Sequence, residues 1–191
     1  MPFVPRIQSS INDLNAKRGR QVIDLLKPIA NNSSRIQFAN RSIGGRSFII
    51  AVSDSVETGN EFKSWRFKTY VPNFHAMYFE AWAPLEEDIY FLERAYFHIY
   101  KTKQTRLEEE EYILLHCDVS ESDNVDHAKY KQGPHLHISS AEQPLPHSHF
   151  ALNNCDLEIT LSSLENLTLA LKKAIEMLDN QVLLELGNST S

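Results

Sequence analysis

The stretch AMYFEAWAPLEEDIYFLERAYFHIY, residues 76–100, indicates the fold most directly. Its two parts, Ala76–Ala83 and Ile89–Tyr100, are rich in aromatic and β-branched residues, which favour pleated, half-buried strands. Large aromatic side chains dominate the cores of small sheets, so we interpret these rings as core residues rather than as stacking platforms for bases. The stretch therefore predicts two consecutive strands.

Further short runs of similar composition lie on both sides of this stretch. Turn formers such as Gly44-Gly45 and Pro72-Asn73 separate them, so a mostly antiparallel meander is the simplest topology. The runs that we interpret as strands are Arg46–Ser53, Phe62–Val71, Glu111–Ser120, Pro134–Ser139, Pro146–Leu152 and Leu157–Leu161.

A helical pattern precedes the strands. Between Ile7 and Ala30 the apolar residues recur at three- and four-residue steps, and Ser10 and Asp13 are spaced like a capping box. Pro28 and the polar residues 31–34 end this pattern, because they favour loops over helix interiors. We therefore divide the chain into an N-terminal helical segment, residues 1–34, and an α+β domain, residues 35–191.

A second helical pattern closes the chain. Ser162-x-x-Glu165 predicts its start, a stripe of apolar residues continues to Leu186, and Gly187 lies at the expected stop. Strands bracketed by helices favour an α+β fold. We predict a mostly antiparallel sheet with the N- and C-terminal helices packed on one face.

Composition limits the class of protein. A chain of 191 residues with 42% apolar and 23% charged residues fits one globular domain. It has no run of eighteen apolar residues, and its start, MPFVPRIQSS, lacks the features of a signal peptide, so we expect a cytoplasmic protein without a membrane span. Its two cysteines, Cys117 and Cys155, provide no disulfide framework. The net charge of −6 counts against nonspecific nucleic-acid binding.

Closely spaced histidines are the unusual chemical feature. Four of the eight lie in KYKQGPHLHISSAEQPLPHSHFALN, residues 129–153, as the pairs His135/His137 and His147/His149. In extended chain both members of a pair share one face. A hairpin through Ala141–Gln143 would place His135 opposite His149 and His137 opposite His147. Because imidazole is the commonest metal ligand, the four histidines predict a divalent metal site, with zinc as the first choice.

Cys117 is the fifth candidate ligand. The alternation in Glu111–Ser120 places it on the more apolar face, which favours a small core residue, yet a thiolate beside imidazoles is ordinary zinc chemistry.

The candidate catalytic groups are Glu142 and His149, with Glu121 as an alternative to Glu142. If three protein ligands leave a position for water, such a group could move the proton of that water.

Other interpretations of the same histidines stay open. The spacing His135-x-His137-x(4)-Glu142 fits the first half of a cupin metal motif, but no second half follows. His137-Ile138-Ser139 matches one half of the two-histidine phosphoesterase signature, whereas residues 149–151 lack the required hydroxyl. Without a metal, histidine pairs could cleave RNA by acid–base catalysis, although the acidic balance counts against this.

Three segments carry a resemblance to a known family. They are His116-Cys117-Asp118, Tyr130-Lys131-x-Gly133-Pro134-His135-Leu136-His137 and Ala141-Glu142-x-Pro144-x-Pro146-His147-x-His149. Here the chain resembles a bacterial family described as a predicted metal-binding domain and named for a Cys-Glu-His-His set. Cys117 matches the cysteine of that set, and either Glu121 or Glu142 could be its glutamate.

The genes of this family lie beside ubiquitin-like conjugation components. The resemblance therefore implies an accessory protein that works with ubiquitin-like activating enzymes, conjugating enzymes and a deubiquitinase-like metallopeptidase, with antiphage defence as the setting. It implies no established reaction. An enzyme, either a metal-dependent hydrolase or a histidine-based ribonuclease, is the alternative class.

Overall fold

The structure is a computed structural model that describes residues 7–32, 34–43, 47–54, 62–68, 73–102, 109–120, 131–138, 148–152 and 157–185. Its elements in chain order are β1 (Gln8–Ser10), α1 (Ile11–Asp13), a first π-helical segment (Leu14–Arg18), α2 (Gly19–Leu26), β2 (Ile36–Ile43), β3 (Ser47–Asp54), β4 (Trp65–Arg66), β5 (Phe74–Glu86), β6 (Ile89–Thr102), β7 (Glu109–Cys117), β8 (His135–Ile138), β9 (Ser148–Ala151), α3 (Leu157–Thr160), α4 (Leu164–Leu178) and a second π-helical segment (Asp179–Leu183). None of these helices is long and apolar enough to cross a membrane.

Within the described residues, nine strands form one antiparallel sheet in the order β2-β3-β5-β6-β7-β8-β9, with β1 paired to β6 and β4 paired to β5. The long hairpin of β5 and β6 lies at its centre and is paired from Phe74 opposite Lys101 to Glu86 opposite Ile89. Asp88 turns the chain with a φ of 61°, a conformation that Asp tolerates better than most residues. The predicted α+β class is confirmed.

Both terminal helices cover one face of this sheet, as predicted. Strand alternation points Ala76, Tyr78 and Trp82 of β5 towards them, and all three are fully buried. The helices contribute apolar residues such as Val22 and Leu171 to the same core cluster. Alternation therefore divides the sheet into a helix-covered face and an opposite face on which β6, β7 and β8 carry rings.

A buried ion pair connects both helices to the middle of the sheet. Arg18 and Glu80 have side chains that are only 1% and 0% exposed, and the Nε of Arg18 lies 3.0 and 3.2 Å from the two carboxylate oxygens. Tyr78 and Trp82 donate hydrogen bonds to Glu80 at 2.6 and 3.0 Å. Arg18 also donates to Thr168 of α4 at 2.6 Å. These partners compensate the desolvation of both charges.

The protonation of this cluster follows from its surroundings. Burial alone would lower the pKa of Arg18, but the adjacent Glu80 and Tyr78 together outweigh it and raise that pKa. Burial, followed by the charge of Glu80, raises the pKa of Tyr78, so its phenol remains a hydrogen-bond donor. Arg18 and Tyr78 therefore both keep the protons that they donate to Glu80 at neutral pH.

Three local predictions concern a helix cap, the start of a helix and a short strand. The predicted cap of the first helix is confirmed, because the Ser10 hydroxyl accepts a hydrogen bond from the Asp13 backbone at 3.1 Å. The last helix begins one residue later than predicted, with Ser163 as its N-cap. A strand at Leu157–Leu161 is wrong: the Leu161 N–H donates to the Leu157 carbonyl, and these residues form a helical turn.

Strand lengths also differ. Of the predicted strand Phe62–Val71, the described part contains only the two-residue strand β4. Strands β1 and β2 are not anticipated by the sequence analysis.

At the close contact between helix α2 and strand β2, a Cβ added to Gly19 would overlap the ring of Phe38, so only glycine fits this approach.

We expect Arg18→Met to lower the free energy of unfolding by about 3–5 kcal/mol, because it leaves the Glu80 carboxylate buried without its cation. The double variant Arg18→Met/Glu80→Met should recover part of this loss, since no unpaired charge remains. Chemical denaturation measures both effects. Lys17→Met is the matched control, because Lys17 pairs with Asp13 on the surface and its removal should leave the denaturation midpoint unchanged. Equal effects of Arg18→Met and Lys17→Met would contradict the role of the buried pair.

Candidate metal centre

The pairing of β7 with β8 brings three histidines together. Its register places His116 directly opposite His135 and Leu114 opposite His137. Residues opposite each other in an antiparallel pair share a face, as do residues two apart in one strand. His116, His135 and His137, which we call the histidine triad, therefore lie on the face of the sheet that points away from the helices.

Backbone contacts fix the chain just before β8. The Asp118 N–H donates to the Lys131 carbonyl at 2.9 Å, and the Leu152 N–H donates to the Pro134 carbonyl at 3.0 Å. Pro134 itself favours an extended conformation and is buried beside Gly133. These contacts hold the start of β8 between β7 and β9, so the position of His135 is set by main-chain geometry.

The ring nitrogens of the triad converge. Nε2 of His137 lies 3.0 Å from Nδ1 of His116 and 3.0 Å from Nε2 of His135. All three potential ligand atoms are within 4.8 Å of one another, as a shared metal ion requires. His116 and His135 are buried, whereas His137 is half-buried.

The outer nitrogens of two triad members have partners of their own. Nδ1 of His135 lies 2.9 Å from the Gly133 carbonyl, so this nitrogen must carry a proton and donate. Nε2 of His116 lies 2.7 Å from Oδ1 of Asp118, although its N–H direction is not aligned for a hydrogen bond. At this distance the carboxylate favours a proton on Nε2 of His116, because a lone pair there would face the negatively charged oxygen.

These contacts assign the tautomers. In neutral imidazoles, a proton on the outer nitrogen leaves the inner nitrogen of His116 and of His135 with a lone pair. Both lone pairs face Nε2 of His137, and a proton on that nitrogen could form a linear hydrogen bond to only one of them. A bound cation would satisfy all three nitrogens together. Outer carbonyl and carboxylate partners of this kind are typical of metal-ligating histidines.

Asp118 remains ionised beside the triad. Burial alone would raise the pKa of its carboxyl, but the contact with His116 and the nearby His135 and Arg94 outweigh burial and lower it. Arg94 donates to the Tyr96 hydroxyl at 3.1 Å, and the Tyr96 ring packs on His116 with 4.0 Å between centroids. The orientation of His116 is therefore restricted by a carboxylate on one side and a phenol ring on another.

Cys117 lies apart from the triad. Alternation along β7 turns it to the helix-covered face, where it is fully buried and its Sγ donates to the Gln132 carbonyl at 2.8 Å. Burial, with smaller effects of Asp118 and Glu80, raises the pKa of this thiol well above its usual value. The structure thus places Cys117 in the core, the alternative to a ligand role, because neighbouring residues in a strand point to opposite faces.

The other predicted site residues are only partly covered by the structure. His147, Glu142 and Glu121 lie outside the described residues. The backbone of His149 belongs to β9 and is paired with His137.

The predicted register of the β8–β9 hairpin is wrong by two residues, since Ala151 rather than His149 is opposite His135. The strands pair about a point one residue further along the chain than the predicted turn. A shift by an even number keeps the alternation of faces, so the error changes partners but not sides.

Sequence reasoning missed His116 as a member of the cluster. Its signal is present, because His116 alternates with Cys117 and stands with Asp118 on the other face of the predicted strand. Pairing that strand with the one through His135 would have identified it. This step requires knowing which strands are neighbours, and single-strand periodicity does not supply that information.

No protein-family model, curated protein sequence or solved structure matches this chain at a significant level.

We expect the Cys117 thiol to resist alkylation in the folded protein, because it is buried and its raised pKa keeps it protonated. The test uses Cys155→Ser, which leaves Cys117 as the sole thiol, and follows iodoacetamide labelling by mass spectrometry with and without denaturant. Labelling should be slow until the protein unfolds. Native labelling at the rate of the denatured protein would contradict the burial, and the thiol-free double variant Cys117→Ser/Cys155→Ser gives the background.

Proposed function

We propose that this is a cytoplasmic protein that binds one divalent transition metal ion, zinc in the first place, through His116, His135 and His137. The observation that supports the proposal is the convergence of three ring nitrogens within 4.8 Å, two of them held in the ligating tautomer by outer partners. Histidines that only form hydrogen bonds within a sheet do not need three ring nitrogens to point at one position.

The distances are compatible with zinc. Zn–N bonds of about 2.0–2.1 Å in a tetrahedral site separate the ligand nitrogens by about 3.3–3.4 Å. The two closest nitrogen pairs of the triad are 3.0 Å apart, so a slight opening would admit the ion. Imidazole also suits copper, nickel and iron, and we choose zinc because three histidines commonly bind zinc in a tetrahedral site.

The role that we propose for this metal-binding protein is that of an accessory component of a bacterial ubiquitin-like conjugation system, in the setting of antiphage defence. Its support is the resemblance carried by the segments around His116, His135 and His147.

We expect co-purification with an activating or conjugating enzyme encoded by a neighbouring gene, measured by tagging that enzyme and quantifying the untagged protein. Absence of such a gene in the neighbourhood, or absence of association, would remove this role and leave the metal site untouched.

A metal-dependent hydrolase is the second candidate. Three protein ligands are typical of catalytic zinc, whereas structural zinc has four, and the described part of the chain offers three converging donors. A zinc ion held by three histidines supplies a Lewis acid that activates water. His149, whose backbone is paired with that of His137, is the residue we expect to act as a fourth ligand or to move a proton there, with Glu142 as the other candidate proton acceptor.

We expect protein purified without an affinity tag to contain about one zinc ion per chain by elemental analysis. His135→Gln and His137→Gln should each reduce this content severely, because each removes a ligand atom. Circular dichroism establishes that the variants are folded. A metal content that is unchanged in the double variant would contradict the site.

Two control variants sharpen this measurement. His75 lies on the same face of the sheet but outside the triad, so His75→Gln should keep the metal. Cys117→Ala should keep it as well, because the thiol points to the other face. Loss of zinc in Cys117→Ala but not in His135→Gln would replace the triad by the cysteine-containing set. Metal-free protein under all loading conditions would favour acid–base chemistry by the imidazoles alone.

Chelation separates a structural from an open site. The core is built on the helix-covered face, and the triad is not part of it, so we expect metal-free protein to stay folded and to unfold cooperatively. Its melting temperature should be lower, since any ion that binds only the folded state stabilises that state. Collapse of the circular dichroism signal on chelation, with recovery on adding zinc, would instead indicate a structural metal.

A further inference from the structure

The outer sides of α2 and α4 border a groove of about 580 Å³. It lies on the helix-covered side of the sheet, away from the histidine triad. Apolar residues from both walls line it, namely Leu25 and Pro28 near the end of α2 and Leu169 in α4. Leu169, in the middle of α4, is 51% exposed.

Leu169 is not needed for the core. Helix α4 buries its other face, formed by Leu167, Leu171, Ala174, Ile175 and Leu178. An amphipathic surface helix normally carries polar residues opposite such a stripe. The apolar surface that Leu169 adds to the groove is therefore not used by the core, and it is available to another molecule.

Carboxylates dominate the charged lining of the groove. Asp24 contributes one from α2, whereas Glu165, Glu176 and Asp179 contribute three from α4 and its end. Among the described residues that line the groove, Lys172 is the one cation, and its Nζ lies 3.8 Å from the carboxylate of Glu176. Four carboxylates against one ammonium give the groove a negative potential that favours a cationic occupant.

The walls of the groove are held at a fixed separation. Arg18, paired with buried Glu80, donates to Gln21 at 3.2 Å and to Thr168 at 2.6 Å, and both acceptors line the groove. The two helices thus share one guanidinium beneath the groove. A partner would meet a preformed surface, which reduces the ordering cost of binding.

We propose that this groove is the docking site for a basic amphipathic helical segment of a partner protein. Leucine-like side chains of the segment enter between Leu25 and Leu169, and its Lys or Arg side chains face the carboxylates on both walls. Docking of an amphipathic helix through apolar anchors at helical spacing is a common recognition mode. Because the groove and the triad lie on opposite faces of the sheet, docking does not depend on the metal.

The test uses a fluorescein-labelled synthetic peptide of about 16 residues, with Leu on one helical face and Lys on the other, and fluorescence anisotropy with the full-length protein. We expect saturable binding that weakens when salt is raised from about 50 to about 300 mM. A scrambled peptide of the same composition lacks the apolar face and should bind at least about tenfold more weakly. Equal binding of both peptides would overturn the proposal.

Matched variants locate the site. Asp24→Lys/Glu176→Lys should weaken binding at least about tenfold, and Leu169→Ser should weaken it without changing net charge. Glu86→Lys/Glu87→Lys makes the same change in net charge at the exposed β5–β6 turn and should leave the affinity within about twofold. Equal losses in the two charge-reversed proteins would show a nonspecific charge effect and overturn the proposal.

Self-association is the competing occupant. Sedimentation of the wild-type protein should show a monomer, with no change in Leu169→Ser. A dimer that dissociates in Leu169→Ser would show that a second copy of the chain fills the groove, and it would overturn the proposal of a separate partner. Zinc content is measured on the same variants and should not change, so failure here is distinguishable from failure of the metal site.

Discussion

The carboxylate of Glu80 must be neutralised in the middle of the face that the helices cover, and the rest of the fold is organised around this requirement. Arg18 supplies the charge from the N-terminal helix, while Tyr78 and Trp82 donate from the same strand. Thr168 connects the C-terminal helix to the same guanidinium. Because an unpaired buried charge would cost several kcal/mol, both helices are held in one position over the sheet.

This arrangement assigns different tasks to the two faces of the same strands. On the helix-covered face, apolar residues and the ion pair provide stability. On the opposite face, strand β7 carries His116, a member of the proposed metal site. The next residue in the chain, Cys117, is buried in the core on the helix-covered face. Residues of the triad can therefore be replaced with less effect on folding than their burial suggests, which makes the proposed site accessible to mutagenesis.

The sequence predicted what depends on local patterns. The strands through residues 76–100, the capped first helix and the shared face of His135 and His137 all follow from periodicity and capping. It did not predict what depends on neighbours: the strand order that brings His116 to the triad and the register opposite His149. Leu157–Leu161 shows the same limit, because a short apolar run has no decisive period and the packing of Thr160 and Leu161 selects a helical turn.

The outer contacts of the triad have a consequence for how an ion would be selected. The Gly133 carbonyl and the Asp118 carboxylate orient two imidazoles through contacts that form as the chain folds. The conformational entropy of assembling the ligands is thus lost during folding rather than on binding. If the triad binds a metal ion as proposed, three nitrogens held in place favour ions that accept tetrahedral coordination over ions that demand square-planar surroundings.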